Sequence, residues 1–525
     1  MCPAFARLRR GSPKREARRR PPRPAQGSAP TFAFVAFALT VAACAHPARP
    51  AHPASLAPPA LVQLQHDIDL VLADPLLAHG YWGVLIKSLE TDETIYTLNA
   101  GKLMLPASNM KIVTLAAAAE KLGWDYRYET GLFSAGSVES GLLQGDLLVQ
   151  GNGDPSLVAT DGMADRVFAD WADRLKARGI RTVSGRVIGD DNLFEKETLG
   201  FGWSWDDLPD DYAAGVGALQ YNENAVRVSV IAGPAAGDSA GVSIAPAGSG
   251  LTIVSSVTTG AAGSTVSIAT RRLPGSMALE LRGSIPIGAT PATLTCSVDN
   301  PTLFFANALR LALIANGIDV RGPAVDIDEV HGPPLTTRTT PARIASYQSA
   351  PLSALAMRLM KVSQNQYAET FLKTVAAGPG VVPTAAAGSA AIQTILAGWG
   401  VPASALIQRD GSGLSRYDYV TPEALVTILT HVDRDPRLRG PFEESLPIAG
   451  RQGLSTRMKD TPAEGNARAK TGSMTSVRGL SGYVTSADGE PLVFSILANN
   501  FDTPPDTITK TADAIVVRLA QFSRR

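Results

Sequence analysis

The chain has 525 residues, of which 45% are hydrophobic, 18% charged and 6% aromatic, and its formal net charge is zero. This apolar content excludes a chain that is disordered throughout, and the lack of a glycine period excludes a collagen-like fibre. The zero net charge gives no indication of a nucleic-acid partner. Because the chain is longer than one hydrophobic core usually organises, we expect two or three packed units.

The N-terminus has the features of an export signal. Residues 1–30 contain nine Lys and Arg and one acidic residue, and an apolar run follows at 32–43. The rest of the chain holds 39 basic and 47 acidic residues, a net charge of −8. An arm that binds nucleic acid would explain the arginines but not the apolar run, which is also shorter than the roughly 20 residues of a membrane span. We therefore predict that residues 1–45 direct export and that the protein is periplasmic.

The end of this signal leaves two alternatives open. Val41–Cys44 resembles a lipobox, which would make Cys44 a lipidated N-terminus anchored in the outer or inner membrane. Ala43–Ala45 fits ordinary cleavage equally well. Residues 46–60 are rich in Ala and Pro and predict an extended linker.

The next elements follow from hydrophobic spacing and from helix-stop signals. Apolar residues at 61–72 recur with the spacing of an amphipathic helix, and two strands are predicted at 83–88 and 95–99. An Ala-rich helix is then expected between Pro106 and Gly123.

Residues 125–300 are poor in helical patterns and rich in short alternating segments. One helix is predicted at 161–178, and another begins at Pro301, with Asn300 as its N-cap and Gly317 as its stop. The predicted strands of this block are 226–231, 252–256, 266–270 and 277–283. The C-terminal part is predicted to contain strands at 467–470, 477–485 and 492–498 and a helix at 506–521. The helix and two strands predicted at 61–99, together with the three strands and helix predicted at 467–521, suggest one α/β domain that is split by a β-rich insertion.

Only Cys296 of the three cysteines falls within the body, and the six histidines are scattered. This predicts neither a disulfide framework nor a metal site, and we expect no cofactor.

The first chemical motif is Ser108-Asn-Met-Lys111 at the start of the Ala-rich helix. Spacing i, i+3 places the hydroxyl and the amine on one helical face, where a desolvated lysine can serve as the base for a serine nucleophile. We expect the pKa of Lys111 to be lowered by burial or by Lys470. Taken alone, the pattern is better explained by an N-cap serine beside an unrelated surface lysine than by a catalytic pair.

Two further motifs change that balance. Ser363-Gln-Asn365 falls between two helical runs and offers a second hydroxyl and an amide. Lys470-Thr471-Gly472-Ser473 ends a predicted strand and offers a cation and a hydroxyl for an anionic group, with a glycine that permits close backbone approach. Each motif occurs once.

Together the motifs resemble those of the penicillin-recognising serine enzymes, which share SxxK, SxN and KTG. Ser363 follows Lys111 by 252 positions, a spacing similar to that of the type-4 penicillin-binding proteins, which are D-alanyl-D-alanine carboxypeptidases and endopeptidases. The resemblance covers residues 61–523. It includes the segments GNGDPSL (151–157), GRVIGDDNLF (185–194) and RDGSGLSR (409–416).

This resemblance implies a fold and a domain division. The fold would be a transpeptidase/β-lactamase-like α/β domain with a mainly antiparallel five-stranded sheet flanked by helices and with the active site at the sheet's edge. The implied ranges are 61–128 and 335–525 for the split catalytic domain, 129–222 and 291–334 for an inserted domain, and 223–290 for a second, β-rich inserted domain.

The resemblance also implies residue roles. Ser108 would be acylated, Lys111 would take its proton, Ser363 would relay a proton to the leaving amine, and Asn365 would hold the substrate amide and orient Lys111. Lys470 and Thr471 would bind the terminal carboxylate. Gly472 and Ser473 follow them in the motif and belong to the same substrate-binding strand. The N–H groups of Ser108 and Ser473 would form the oxyanion hole.

Several other residues have two interpretations. Arg416 could bind an acidic stem peptide or form a loop salt bridge. Asp410 is expected to cap its Gly-rich loop, and Asp154 to stabilise a turn. Trp203 and Trp205, beside Asp206 and Asp207, could form a sugar platform, but packing between inserted domains is the preferred interpretation.

The expected partners are peptidoglycan stem peptides that end in D-Ala-D-Ala, with β-lactams as inhibitors and no nucleic acid. Two other functions remain open at this stage: a β-lactamase or esterase on the same site, and a non-catalytic wall-binding or penicillin-sensing module.

Overall fold

The computed structural model describes residues 59–331 and 340–525. The predicted export signal, Cys44 and residues 46–58 of the predicted linker lie outside the described residues. Within the described ranges, no helix has both the length and the apolar character needed to cross a membrane.

In these ranges the α-helices are α1 (Pro59–Leu72), α2 (Met110–Leu122), α3 (Met163–Ala177), α4 (Pro301–Ala315), α5 (Leu352–Lys361), α6 (Asn365–Val375), α7 (Ala385–Gly398), α8 (Pro422–Arg434), α9 (Arg439–Ser445) and α10 (Pro505–Gln521). The strands are β1 (Tyr81–Ser88), β2 (Thr94–Leu98), β3 (Glu129–Glu139), β4 (Leu142–Gly151), β5 (Thr182–Val183), β6 (Val187–Asp190), β7 (Ala225–Ile231), β8 (Gly241–Ala245), β9 (Thr252–Gly260), β10 (Ser267–Arg271), β11 (Ala278–Pro286), β12 (Ala292–Ser297), β13 (Asp319–Val320), β14 (Ala324–Asp326), β15 (Ala342–Gln348), β16 (Leu406–Ile407), β17 (Tyr419–Val420), β18 (Ile448–Ala449), β19 (Gly453–Leu454), β20 (Arg468–Met474), β21 (Val477–Thr485) and β22 (Pro491–Asn499).

The first sheet combines strands from both ends of the described chain. Its order is β19–β18–β20–β21–β22–β1–β2, so β1 lies between β22 and β2. Tyr81 of β1 pairs with Asn499 of β22, and every pair in the sheet is antiparallel except β18 with β19. The expected five-stranded antiparallel sheet is confirmed in β20 to β2, and two strands of two residues each extend it beyond β20.

Helices cover both faces of this sheet, because successive strand residues point to opposite sides. In β1, Val84 and Ile86 belong to the core formed with α1 and α10. Leu85 belongs to the core formed with α2, α5, α6, α7 and α8. The sheet is therefore the middle layer of three, and the predicted α/β class is confirmed.

Helix α2 lies inside the second of these cores, with every residue from Met110 to Ala119 buried. Its alanines allow neighbouring helices to approach closely. The predicted stop at Gly123 is confirmed, since Gly123 has a φ of +78° and its N–H donates to the carbonyl of Ala119 at 3.0 Å. The α-helix begins at Met110 rather than at Ser108, because Ala107–Asn109 forms a 3₁₀ turn.

All but one of the remaining sheets come from the middle of the chain, the exception being the short pair β16–β17. The second has the order β13–β5–β4–β3–β15, with β6 and β14 attached, and the others are β12–β7–β8, β10–β11–β9 and the short pair β16–β17. The strands predicted for this block correspond to β7, β9, β10 and β11. The long β3–β4 hairpin was not predicted, because its strands contain four glycines and few β-branched residues.

The sheets formed by strands β3 to β15 share a core with α3 and α4. The core is centred on the aromatic residues Phe168, Trp171, Tyr221 and Phe305, whose rings contact one another. The predicted N-cap of α4 is confirmed, since Asn300 Oδ1 accepts a hydrogen bond from the N–H of Leu303 at 2.8 Å.

Replacing Phe305 with Ala should lower the free energy of unfolding by about 3–5 kcal/mol, because the fully buried ring would leave a cavity. Leu311 lies on the same helix and is 44% exposed, so Leu311→Ala should cost less than about 0.5 kcal/mol. Denaturant unfolding followed by circular dichroism measures both. Similar losses in the two variants would contradict the assigned core.

Candidate active site

The three motifs meet in one cleft of about 380 Å³. The cleft is lined by Ser108 from the turn before α2, by Ser363 and Asn365 from the α5–α6 connection, and by Thr471 and Ser473 from β20. Residues that are far apart in the sequence are thus brought together as the motifs predicted. β20 continues to Met474, so the KTG motif lies within the strand rather than at its end.

Lys111 lies beneath this cleft with no exposed surface. Its Nζ donates to Ser108 Oγ at 2.9 Å, to Asn365 Oδ1 at 2.6 Å and to the carbonyl oxygen of Ser412 at 3.0 Å. The amine therefore has fixed partners in three segments, one of which carries the hydroxyl that it would deprotonate.

Burial lowers the pKa of Lys111 to about 7, although the nearby carboxylates of Asp410 and Glu369 act in the opposite direction. A large fraction of Lys111 is then neutral near pH 7 and able to accept a proton from Ser108. Of the two predicted causes of this shift, burial is the one that dominates.

Lys470 is a second amine with no exposed surface. Its Nζ donates to Ser363 Oγ and to the carbonyl oxygen of Thr471, both at 2.9 Å. Burial, followed by the proximity of Lys111, lowers the pKa of Lys470 well below its ordinary value. The hydrogen bond between Lys470 and Ser363 therefore offers a path for a proton at the base of the cleft.

Ser363 has a left-handed backbone conformation, with a φ of +62°, that is uncommon for a residue other than glycine. The next residue is anchored from a distant segment, since Gln364 Nε2 donates to Glu223 Oε2 at 2.8 Å. Glu223 is in turn held by Arg358 of α5, whose Nη2 donates to the same carboxylate at 2.7 Å. This carboxylate fixes the turn that presents Ser363.

Asn365 is oriented from both ends of its amide. Its Nδ2 donates to the carbonyl oxygen of Tyr212 at 2.7 Å, which leaves Oδ1 facing Lys111. Sequence reasoning identified Asn365 but missed Tyr212 and Glu223. Neither lies in a motif, and no local spacing marks them.

Gly472 is required by the close approach of β20 to the turn that carries Ser108. A Cβ at position 472 would lie 2.6 Å from the carbonyl oxygen of Pro106 and 2.6 Å from Asn109 Nδ2. Any side chain there would push Ser108 away from the strand, in keeping with the expected reason for a glycine.

The loop 409–416 closes the cleft beside Lys111 and is held by two buried carboxylates. Asp410 accepts hydrogen bonds from the N–H groups of Gly413 (2.7 Å) and Ser415 (2.6 Å), which is the capping role expected for it. Glu369 of α6 accepts from the N–H groups of Gly411 (2.8 Å) and Ser412 (2.9 Å). Burial raises the pKa of Glu369. Glu369 was not predicted from the sequence.

Arg416, at the end of this loop, lines the cleft and donates to the carbonyl oxygen of Thr475 at 3.1 Å. Among the described residues, no carboxylate pairs with it, so the alternative of a loop salt bridge is not observed. Asp154 caps a turn as expected, since its Oδ1 accepts from the N–H and the hydroxyl of Ser156.

The two tryptophans considered from the sequence differ in environment. Trp203 Nε1 donates to Asp410 Oδ2 at 2.9 Å and so supports the loop beside Lys111. Trp205 is 55% exposed, so it is not buried between packed units as the packing interpretation expected.

Cavity size alone does not identify this site. A larger cavity of about 580 Å³ lies between β1, β2 and α8 and contains none of the motif residues. Over the described ranges, no group of three or more His, Cys, Asp or Glu residues is placed to hold a metal ion. The motif residues that line the cleft offer the hydroxyls of Ser108, Ser363, Thr471 and Ser473 and the amide of Asn365, with the buried amines of Lys111 and Lys470 behind them.

Comparisons with known proteins agree with this geometry. The model of the D-Ala-D-Ala carboxypeptidase 3 (S13) family matches residues 64–522. A D-alanyl-D-alanine carboxypeptidase of Actinomadura sp. (strain R39) is 35% identical over 477 residues, which cover 88% of this chain and 85% of the relative. The D-alanyl-D-alanine carboxypeptidase DacB of Haemophilus influenzae is 28% identical and covers 84% of this chain and 89% of the relative.

The crystal structure of penicillin-binding protein 4 (dacB) from Haemophilus influenzae superposes with a TM-score of 0.74 at 26% identity, covering 86% of this chain and 97% of that chain. The same protein in complex with a novel β-lactam gives a TM-score of 0.67 at 25% identity, with the same coverage. The family match spans nearly all of the described chain and confirms the resemblance to type-4 penicillin-binding proteins: the chain belongs to the D-Ala-D-Ala carboxypeptidase 3 (S13) family.

Proposed function

We propose that this protein is a serine D-alanyl-D-alanine carboxypeptidase and endopeptidase that cleaves peptidoglycan stem peptides through an acyl-enzyme on Ser108. The observation that supports this most is the fully buried Lys111 amine, 2.9 Å from Ser108 Oγ. Burial lowers the pKa of this amine to about 7, so that part of it is neutral at that pH, which is the state that a general base for serine needs.

In the acylation step, Ser108 Oγ attacks the carbonyl carbon between the two D-alanines while Lys111 Nζ takes the hydroxyl proton. The N–H groups of Ser108 and Ser473 stabilise the oxyanion, a contribution worth roughly 3–4 kcal/mol per donor in other hydrolases. Asn365, held by Tyr212 and Lys111, binds the substrate amide.

The leaving amine of the terminal D-alanine must be protonated before it departs. Ser363 lines the cleft and its hydroxyl is hydrogen-bonded to Lys470, so a proton can pass from this pair to the amine. Water then attacks the acyl-ester, and Lys111 serves as the base again. The products are the shortened peptide and free D-alanine.

The carboxylate of the substrate would be bound at β20, where Lys470 and Thr471 lie beside the cleft and Gly472 and Ser473 complete the edge. Arg416 contributes a guanidinium cation to the cleft wall. A β-lactam's carboxylate would bind the same groups, which accounts for β-lactams as expected inhibitors.

A β-lactamase or esterase on the same site is the second function considered, and a non-catalytic penicillin-sensing module is the third. The carboxypeptidase names of the relatives favour the first. Incubation with a D-Ala-D-Ala pentapeptide, a cross-linked peptide dimer and a chromogenic β-lactam tests all three. Rapid β-lactam turnover without peptide cleavage would support the second function, and stable acylation without any turnover the third.

We also propose that the catalytic domain is formed by 61–128 and 335–525, with residues 129–222 and 291–334 as one inserted domain and 223–290 as another. The pairing of β1 with β22 in one sheet supports the split. The protein would act in the periplasm after its export signal is removed, with a mature N-terminus at or just after Cys44. Mass spectrometry of the mature N-terminus distinguishes a lipid-modified Cys44 from ordinary cleavage, and a retained Met1 would contradict export.

The pH dependence of acylation should report the Lys111 amine. Because its pKa is lowered to about 7, the rate of acylation by a β-lactam should rise as the pH increases through about 7, where the amine loses its proton. In Lys111→Arg the group stays charged, so acylation should fall at least about 100-fold. Stopped-flow measurements with a fluorescent penicillin follow this rate.

Two variants serve as controls for that experiment. Lys121→Arg changes an exposed lysine on the same helix and should leave the rate and its pH profile unchanged. Ser108→Ala has no nucleophile and sets the background of labelling. Near-normal acylation in Lys111→Arg would transfer the role of base to another group.

Thr471→Val should reduce activity selectively on substrates with a free carboxylate. The change removes the hydroxyl but keeps the branched shape that suits a strand, and a charge-assisted hydrogen bond is worth roughly 1.5–3 kcal/mol. The ratio of kcat/KM for a D-Ala-D-Ala acid to that for its amide should therefore fall about tenfold. Equal losses on both substrates would mean that Thr471 shapes the strand instead.

A further inference from the structure

A second cavity shares a wall with the active-site cleft. It has a volume of about 250 Å³ and lies between the segment 205–209 and strands β10 and β11; we call it the indole cavity. Asp206 lines the indole cavity, whereas the next residue, Asp207, lines the active-site cleft. The two cavities are therefore separated by the thickness of a single segment of chain.

Trp205 forms one wall of the indole cavity and is 55% exposed. An indole presents a flat apolar face and a single N–H donor, a combination that binds ligands with one apolar face and polar edges. The C–H face of a pyranose ring has this character. At 250 Å³ the cavity lies below the range of roughly 300–1,000 Å³ of drug-sized pockets, which favours one sugar ring over an extended chain.

The opposite wall contains a buried donor without an acceptor. Arg272 is 3% exposed and lines the cavity. Its Nη1 donates to Asp299 at 2.6 Å and its Nη2 to the carbonyl oxygen of Leu208 at 2.8 Å, but its Nε has no acceptor within the described protein. Buried polar groups are normally paired, so this N–H, which has almost no accessible surface, would gain a partner if a ligand acceptor displaced the side chains that cover it.

The charges around the cavity nearly cancel. Arg282 Nη2 donates to Glu280 at 2.8 Å, Arg271 lies 3.7 Å from the same carboxylate, and Arg272 pairs with Asp299. A strongly anionic ligand would have to displace these carboxylates. An amide carbonyl, which is a neutral acceptor, would not.

We propose that the indole cavity binds the N-acetylated amino sugar that carries the stem peptide, with the ring stacked on Trp205 and the acetamido carbonyl accepting a hydrogen bond from Arg272. This rests on the proposed function, and it names which form of the substrate is preferred. In a pentapeptide cleaved between its last two residues, four residues separate the sugar from the scissile bond, and when extended they span roughly 13 Å, enough to reach from this cavity into the adjoining cleft.

The test compares two substrates, a disaccharide-pentapeptide and the free pentapeptide of the same sequence. The unmodified protein should show a kcat/KM about tenfold higher for the disaccharide form, and Trp205→Ala should remove most of that preference. Trp205→Phe keeps an aromatic face and should retain it. Phe201→Ala removes an exposed aromatic residue of the same loop that does not line the cavity, and should also retain it.

A binding measurement separates this proposal from the proposed function. Ser108→Ala protein is titrated with the N-acetylglucosaminyl-N-acetylmuramic acid disaccharide, and tryptophan fluorescence is followed with and without the additional Trp205→Phe change. A saturable signal that depends on Trp205 supports the sugar site even if no peptide is hydrolysed. Equal kcat/KM for both peptide forms, or a preference that survives in Trp205→Ala, would overturn it.

Discussion

A lysine amine that is removed from water must find partners within the protein, and the rest of this site is arranged around that requirement. Lys111 Nζ of α2 contacts the turn before this helix through Ser108, α6 through Asn365 and the loop 409–416 through the carbonyl of Ser412. The contacts with Asn365 and Ser412 form only when α6 and the loop are packed against α2. The buried carboxylates of Glu369 and Asp410 hold the loop and also limit how far burial lowers the pKa of Lys111. The same two carboxylates therefore position the loop beside Lys111 and set the basicity of its amine.

Local patterns carried most of what could be predicted. Ser108 with Lys111, and Ser363 with Asn365, are separated by two or three positions, so their pairing is visible in the sequence. The three motifs in this order carried the family resemblance that implied the fold class, and helices such as α2 and α4 were marked by their caps. The domain boundaries remain predictions, since the described sheets do not by themselves define them.

What could not be predicted depends on contacts between distant residues. Gln364 and Glu223 are 141 positions apart, and Asn365 and Tyr212 are 153 apart. No periodicity connects such pairs. The β3–β4 hairpin was missed for a different reason, because its register is set by backbone pairing rather than by β-branched side chains. The segment between the first two motifs therefore supplies supports for both Ser363 and Asn365 that only the folded structure reveals.

The pairing of β1 with β22 also has a consequence for how the protein is made. The chain is synthesised from its N-terminus. Strand β1 therefore cannot pair with β22 until residues 491–499 have been made, more than 400 positions later. During that interval the apolar side chains of β1 and α2 have no complete core to enter, and a strand with an unsatisfied edge is prone to wrong pairings. The central sheet is thus completed by the last strand to be synthesised, so loss of the C-terminal 35 residues, from Pro491 onward, would leave even the earliest-made strands without a native fold.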